Sequence, residues 1–412
     1  MCICTTNSSA ILSRTTADRQ FSSSRELAEK AGCHAAIRIA ASQKRTLHPK
    51  GVPRLFSGIL PEESKREIIA RNLGISTRKD YAMLEQIGGE CAGAVTFVPA
   101  GELLPERSYH YRTLSPEELA AIFKELPKRP LLAGEEGVRL SLAGAQHKIA
   151  LRIEGNEISL PLGGGPSTHI LKPNIERFAG VVFNEALAMQ LAAAVGLPTA
   201  SVEIRTVGAI DYLLVERYDC THLQSGATTV LERLHQEDFC QALNVVPEMK
   251  YQKEGGPSLR SCFALLREFS NAPVIDLARL LDAVIYNYLV GNNDAHGKNF
   301  SLLYHGIGTA NQEIRLAPLY DVISTMYYPE LSKDMAMKIG SKYRSDRVTP
   351  GDFEKLSEEA ALAKPMVRRR VPELADGVIM AMARVTIANP VAEGVAALIR
   401  EQCDTIRNRF RN

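Results

Sequence analysis

The sequence predicts an α+β fold in two lobes, a small mixed β/α lobe followed by a mainly helical one. Three observations carry that expectation. Strand-like segments concentrate between Ile149 and Val215, and beyond Leu234 the apolar residues recur mostly at helical spacing. The most apolar of the later helices, Ile275 to Leu289, runs straight into the polar stretch Asn293-Asp294-Ala295-His296-Gly297-Lys298-Asn299-Phe300.

Composition permits a large core and excludes several classes. The 412 residues are 45% hydrophobic and 23% charged, with a formal net charge of +2. That balance gives no global electrostatic footprint for nucleic acid or an anionic membrane. The longest strongly apolar stretch, Val284 to Val290, is far shorter than the ~20 residues that span a bilayer, so no membrane passage is expected. Eight scattered cysteines behind no apolar leader suit reduced thiols in a cytoplasm.

Taken in order, residues 1–50 show no clear periodicity beyond a hint of helix from Glu26 to Ile39. Pro61 to Ser64 then opens an amphipathic helix carrying Ile68, Ile69 and Leu73, and a second helix covers Asp80 to Ile87. Ala92 to Val98 reads as a short buried strand. Ser115-Pro116-Glu117-Glu118 starts a helix that runs to about Leu126, with serine as cap and carboxylates at the positive end of the dipole. Ile149 to Ile153 and Ile158 to Leu162 flank Glu154-Gly155-Asn156 as a hairpin. A strand at Thr168 to Lys172, a helix at Asn184 to Val195, and strands at Ser201 to Ile204 and Tyr212 to Val215 complete the first lobe. That order is the order of a protein-kinase small lobe. Helices are expected at Gln236 to Leu243, Ser258 to Phe269 and Ile275 to Leu289.

Five segments carry the chemistry. A buried helix would present Asp294 and Asn299 on a rigid loop, Asp294 to accept a hydroxyl proton and Asn299 to offer a neutral oxygen to magnesium. The same loop also fits an Asx-rich turn. Asp321, after the strand-like Leu316 to Tyr320, could chelate the same ion or cap a helix beginning near Val322. Lys172 shares a strand face with Ile170, and Glu185, thirteen residues on, could hold it as an ion pair. Ser141 to Lys148 is a small-residue loop in which Gly144, between Ala143 and Ala145, would let backbone amides approach phosphate; an ordinary loop into the hairpin is the alternative. Glu216, Tyr218 and Asp219 follow the last small-lobe strand, where a kinase hinge meets adenine and an aspartate reaches ribose; an exposed strand end is the alternative. His296 is expected to brace the catalytic loop. The basic groups Arg368 to Arg370 and Arg407, Arg409 and Arg411 read as solvated helix faces.

These blocks together resemble the HipA-type serine/threonine kinases, toxins of bacterial toxin–antitoxin pairs. The resemblance rests on Ser141 to Lys148, Thr168 to Lys172, Val215 to Asp219, Asn293 to Ser301 and Leu319 to Ser324, in the family's order. Ile59-Leu60-Pro61-Glu62 and Gly93 to Thr96 resemble its N-terminal subdomain. It implies ATP-dependent phosphorylation of a protein serine or threonine, with Asp294 as base, Asn299 and Asp321 on magnesium, and Lys172 on the phosphates. It places the Glu216 and Tyr218 backbone on adenine with Asp219 nearby, and makes Ser141 a regulatory phosphorylation site whose modification ejects the loop. An aminoacyl-tRNA synthetase is the implied substrate. A HipB-like DNA-binding antitoxin is the implied partner, through which any DNA contact would mainly run.

The expected division is an atypical segment 1–50, a HipA-type N-terminal subdomain 51–130, a nucleotide-binding small lobe 131–220 and a helical lobe 221–412 holding the catalytic loop. Two features depart from the family: residues 1–50 lack its strand-rich opening, and His147 stands where an acidic residue is common. A small-molecule kinase of the same design, or an inactive protein that binds antitoxin and DNA, would share these motifs.

Overall fold

The fold comes from a computed structural model that describes residues 2–5, 8–11, 57–98, 109–144, 146–175, 177–225, 228–307 and 311–411. The chain begins with two short strands, β1 (Cys2–Thr5) and β2 (Ser8–Ile11), paired antiparallel. Helices α1 (Glu63–Asn72) and α2 (Asp80–Ile87) follow, then β3 (Glu90–Cys91) and β4 (Thr96–Val98). β4 pairs with β1, so the start of the chain belongs to a sheet. This corrects the reading of residues 1–50 as wholly atypical. Strands of four residues are too short to show alternation, and their pairing partner lies far along the chain. The helix hinted at Glu26 to Ile39 lies outside the described residues.

The small lobe is built on a six-stranded antiparallel sheet. Its strands are β5 (His110–Thr113), β7 (Ile149–Glu154), β8 (Glu157–Leu162), β9 (His169–Pro173), β10 (Val202–Val207) and β11 (Ile210–Glu216), in the order β10-β11-β9-β7-β8-β5. Between β5 and β7 lie α3 (Pro116–Glu125) and the two-residue strand β6 (Leu140–Ser141), which pairs parallel with β3. Ser115 caps α3 in a full capping box with Glu118, worth about 1 kcal/mol. Because β5 pairs with β8, the sheet crosses the boundary expected at residue 130.

Both faces of this sheet are covered, and the alternation along β11 shows how. Tyr212 and Leu214 join one core with α1, α2 and α3, while Leu213 and Val215 join the other with α4 (Val181–Ala194). A strand buried on both sides reads as a continuous apolar run, as Tyr212 to Val215 does.

After β11 the structure departs from expectation. β12 (Cys220–Ser225) and β13 (Thr228–Arg233) form a hairpin, and the segment expected as a helix from Gln236 is first a strand, β14 (His235–Asp238). Pairing of β14 with the distant β15 (Ser301–His305) overrides local propensity. Only Phe239–Ala242 is helical (α5), started by a capping box between Asp238 and Gln241. Helices α6 (Leu259–Phe269) and α7 (Pro273–Leu289) fall where expected. β16 (Glu313–Leu316), β17 (Asp334–Ile339) and β18 (Lys342–Arg344) follow, and α8 (Pro350–Glu359), α9 (Lys364–Ala381) and α10 (Pro390–Arg411) close the chain. From Leu277 onward α7 packs against the same core as α4 and the last three helices. Among the described residues no helix is long and apolar enough to cross a membrane, and Cys91, Cys220, Cys240, Cys262 and Cys403 are free thiols.

Candidate active site

Helix α7 ends at Leu289, and two residues on stands Gly291, whose φ of +69° glycine adopts without strain; a Cβ there would fall 2.8 Å from the sulfur of Met326. The loop that follows is tied down atom by atom. Asn292 Nδ2 donates to Asn287 Oδ1 at 2.7 Å, Asn293 N donates to Thr325 Oγ1 at 2.8 Å, and Ala336 N donates to Asn293 O at 2.7 Å. The expected rigid support for the loop is therefore present. Asp294 is exposed at its tip, and the Tyr251 hydroxyl donates to its Oδ1 at 2.8 Å.

His296 lies beneath, buried, with Tyr251 edge-on at 5.5 Å. Burial pushes its imidazole below the usual histidine range, so the ring is neutral at pH 7. Its backbone N–H donates to Asn299 Oδ1 at 3.0 Å, and Asn299 N returns a bond to His296 O at 3.0 Å. The main chain of His296 thus braces the loop.

Asp321 does not cap a helix. It sits at φ +59°, a left-handed conformation that costs a non-glycine residue about 1 kcal/mol or more. Its surroundings hold it there. Leu319 pairs with Pro198 and Ala200 through backbone bonds of 2.8 Å, and the buried Asn184 amide clamps both the N–H and the carbonyl of Ser324.

The strain aims Asp321 at Lys172. Lys172 Nζ lies 2.6 Å from Asp321 Oδ1 and 2.6 Å from Glu185 Oε1, and it is only 5% exposed. Burial opposes the ammonium charge, but the two carboxylates win and hold Lys172 above the usual lysine value. Burial likewise works against the Asp321 charge, and Lys172 and Lys148 overcome it, keeping its carboxyl below the usual range. Asp321 Oδ2 accepts from Asn299 Nδ2 at 3.4 Å. Lys172, Glu185, Asp321 and Asn299, drawn from four elements, meet at one point.

The hinge candidates divide. Glu216 is exposed, its N–H bonded to Ser201 O at 2.9 Å. The backbone N–H of Tyr218 has no partner among the described residues, and its ring lies 5.5 Å from that of Tyr320. Asp219 is not an exposed strand end, and its carboxylate does not face a ribose site. It is 2% exposed and accepts from Arg217, Arg233 and Gln236. Glu90 completes that network by accepting from Ser167 and both arginines. A charge so fully paired inside the fold holds β11, β13 and the N-terminal subdomain together, and removing one partner would cost about 3–5 kcal/mol.

In the small-residue loop Gly144 has φ +106°, and a Cβ there would lie 2.8 Å from Lys148 Nζ. Ala145 lies outside the described residues. Ser141 is fully buried and donates to Ile59 O at 3.0 Å. A kinase could reach its hydroxyl only after β6 leaves β3.

Sequence reasoning missed Glu62, Asn184 and Tyr251. Glu62 accepts from Lys250 at 3.0 Å and lies 3.6 Å from Lys298, whose Nζ also reaches Asp238 at 2.7 Å and Gly58 O at 3.0 Å. The signal was Lys298 itself, a lysine inside the catalytic loop with no expected partner. Burial works against its charge, but Asp238 and Glu62 hold it at about 12. The C-terminal arginines divide: Arg368 and Arg369 lie on an exposed face, whereas Arg370 forks onto Asp282 and Arg407 pairs with Asp376 and Asp404.

No cluster of three or more His, Cys, Asp or Glu with metal-binding proximity occurs among the described residues. The donor set nevertheless fits magnesium beside a nucleotide, which needs only one or two protein oxygens because phosphates and water fill its shell. Asp321 Oδ2 is such an oxygen. Asn299 presents nitrogen to it while its Oδ1 accepts from the His296 N–H, so Asn299 would offer an ion the second lone pair of Oδ1.

Comparison with known proteins agrees with this geometry. The HipA N-terminal domain model matches residues 3–98, and the HipA-like C-terminal domain model matches residues 140–383. The chain is 47% identical over 334 residues to the putative kinase Y4mE of Sinorhizobium fredii, covering 80% of this chain and 78% of that one. It is 30% identical over 342 residues to the serine/threonine-protein kinase toxin HipA of Shewanella oneidensis, covering 81% and 76% respectively. The structure of the Shewanella HipA, solved with HipB and operator DNA, superposes with a TM-score of 0.74 at 26% identity over 87% of this chain and 88% of that one. On these matches and the convergence of its motif residues, the chain belongs to the HipA family and has the kinase-like fold of that family.

Proposed function

We propose that the chain is an ATP- and magnesium-dependent protein serine/threonine kinase acting as a toxin. The observation that carries this reading is the ion-paired Lys172, set between Glu185 and Asp321 with Asn299 on the far side of Asp321. Lys172 would orient the nucleotide phosphates, and Asp321 and Asn299 would hold the divalent ion. The free N–H of Tyr218 would meet the adenine edge, with the Glu216 backbone beside it, while Asp219 supports that hinge from behind. Asp294 would take the proton of the attacking hydroxyl. When bound, magnesium-ATP supplies the γ-phosphoryl group, and the metal offsets the charge that develops on its oxygens.

We assign the regulatory role to Ser141, through loss of the β6 contact and displacement of the loop that carries Gly144 and Ala145. A cytoplasmic protein target is inferred, with an aminoacyl-tRNA synthetase the first to test. The neighbour solved with HipB and operator DNA supports a HipB-like antitoxin as partner.

Incubating the purified chain and D294A with a bacterial lysate and γ-labelled ATP tests the reading. A labelled protein that appears with the native chain and not with D294A is expected. Label appearing only in a metabolite would replace the protein substrate with a small molecule, and no transfer at all would overturn kinase activity.

A further inference from the structure

Lys65 projects from α1, in the N-terminal subdomain, and is 6% exposed. Among the described residues no carboxylate or carbonyl accepts from its Nζ, nor from that of Lys148. The charged groups facing Lys65 are Lys148, Lys172, Asp321 and Glu62, with the His147 ring beside it. Neither carboxylate bonds to it. Glu62 Oε2 accepts from Lys250, its Oε1 has no hydrogen bond among the described residues and lies 3.6 Å from Lys298, and Asp321 is engaged by Lys172. An ammonium on a largely buried side chain with no anionic partner is costly, and the fold keeps Lys65, with the half-buried Lys148 near it, close to one magnesium-competent aspartate.

We propose that Lys65 is a phosphate-binding residue for the nucleotide, a third cation joining Lys148 and Lys172, so that the N-terminal subdomain completes the ATP site. This rests on the kinase reading above. A triphosphate chain brings the negative charge that Lys65 and Lys148 lack, and its oxygens would accept from both and from Lys172.

One consequence is a proton. Burial, then the neighbouring Lys148, pushes Lys65 down to about 6, and burial brings Lys148 to about 8. At pH 7 Lys65 is therefore mostly neutral in the free protein, and phosphate oxygens favour its ammonium form. Nucleotide binding at pH 7 should take up roughly one proton.

Titration calorimetry of the full chain at pH 7 with Mg-ATP and with adenosine, in two buffers of different ionisation enthalpy, reads both effects. For K65M the expected result is about tenfold or greater loss of Mg-ATP affinity, unchanged adenosine affinity and no linked uptake beyond the small share of Lys148. K65R should restore most of the affinity but not the uptake, because guanidinium is always charged; this also covers a K65M protein that fails to fold. Wild-type affinity and uptake in K65M would overturn the inference and leave the kinase reading standing, as would equal affinity loss in K65R and K65M with uptake retained. Absence of Mg-ATP binding by the native chain would sink both.

Discussion

Asp321 and Asp294 are both acidic residues of one site, and they are held in opposite ways. Asp321 is strained, clasped by Lys172 and set by backbone pairing at Leu319 and the Asn184 amide on Ser324, whereas Asp294 stands exposed at a loop tip where, among the described residues, a tyrosine hydroxyl alone donates to its carboxylate. The contrast teaches a division of labour. On the proposed function, the phosphate and metal end would be preorganised by charge before anything binds and the acceptor end would be open, so that an incoming hydroxyl could displace Tyr251 without unfolding anything.

The sharpest way to break this comparison is D294A. It should lower phosphoryl transfer by about 10²-fold or more while Mg-ATP affinity and the melting temperature stay near native values, measured by initial rates, calorimetry and thermal unfolding. A large fall in melting temperature would mean that Asp294 is as structural as Asp321. K172M probes the other end, where it leaves Glu185 buried without its cation. Stability should drop by about 3–5 kcal/mol in urea unfolding, together with loss of nucleotide binding. Unchanged stability would show that the cluster is not held by charge.

K65M should raise stability at pH 7 by roughly 1–3 kcal/mol, since it removes a buried unpaired amine. The sign follows from the lowered value of about 6. Between that value and the ordinary lysine value near ~10.4 the unfolded chain binds more protons, so native stability rises with pH across that window and the K65M advantage should fade toward pH 10. A constant difference across the range would assign the effect to packing instead. The smallest effect is expected for Y251F, which keeps the ring on His296 and removes one hydrogen bond. Transfer should change by less than about threefold, mostly in KM for the protein substrate.

The sequence made the small lobe legible because its strands alternate or run apolar and its turns carry glycine and proline. Motif order pointed to Lys172, Glu185, Asp294, Asn299 and Asp321 as one set, and contacts in the structure join Lys172, Glu185, Asn299 and Asp321. What could not be read depended on distant pairing. β14 looked helical until β15 claimed it, the strands at Cys2 and Ser8 needed β4, and Asp219 looked exposed until Arg233 and Glu90 closed over it. Lys65 was invisible for a related reason. On an amphipathic helix a lysine is ordinarily solvated, and only the packing around α1 buries most of this side chain.

The two stretches matched by family models, residues 3–98 and 140–383, look like modules that could be cut apart. The charge pattern is partitioned elsewhere. Glu62 and the Gly58 carbonyl, both in the first stretch, receive Lys250 and Lys298 from the second. Splitting the gene between the two would take Glu62 from Lys250, leave Lys298 its Asp238 but not its contacts in the first stretch, and strand Glu62 in the other product. Complementation from separate polypeptides should then depend on the helix beginning at Glu63 arriving with its preceding turn intact.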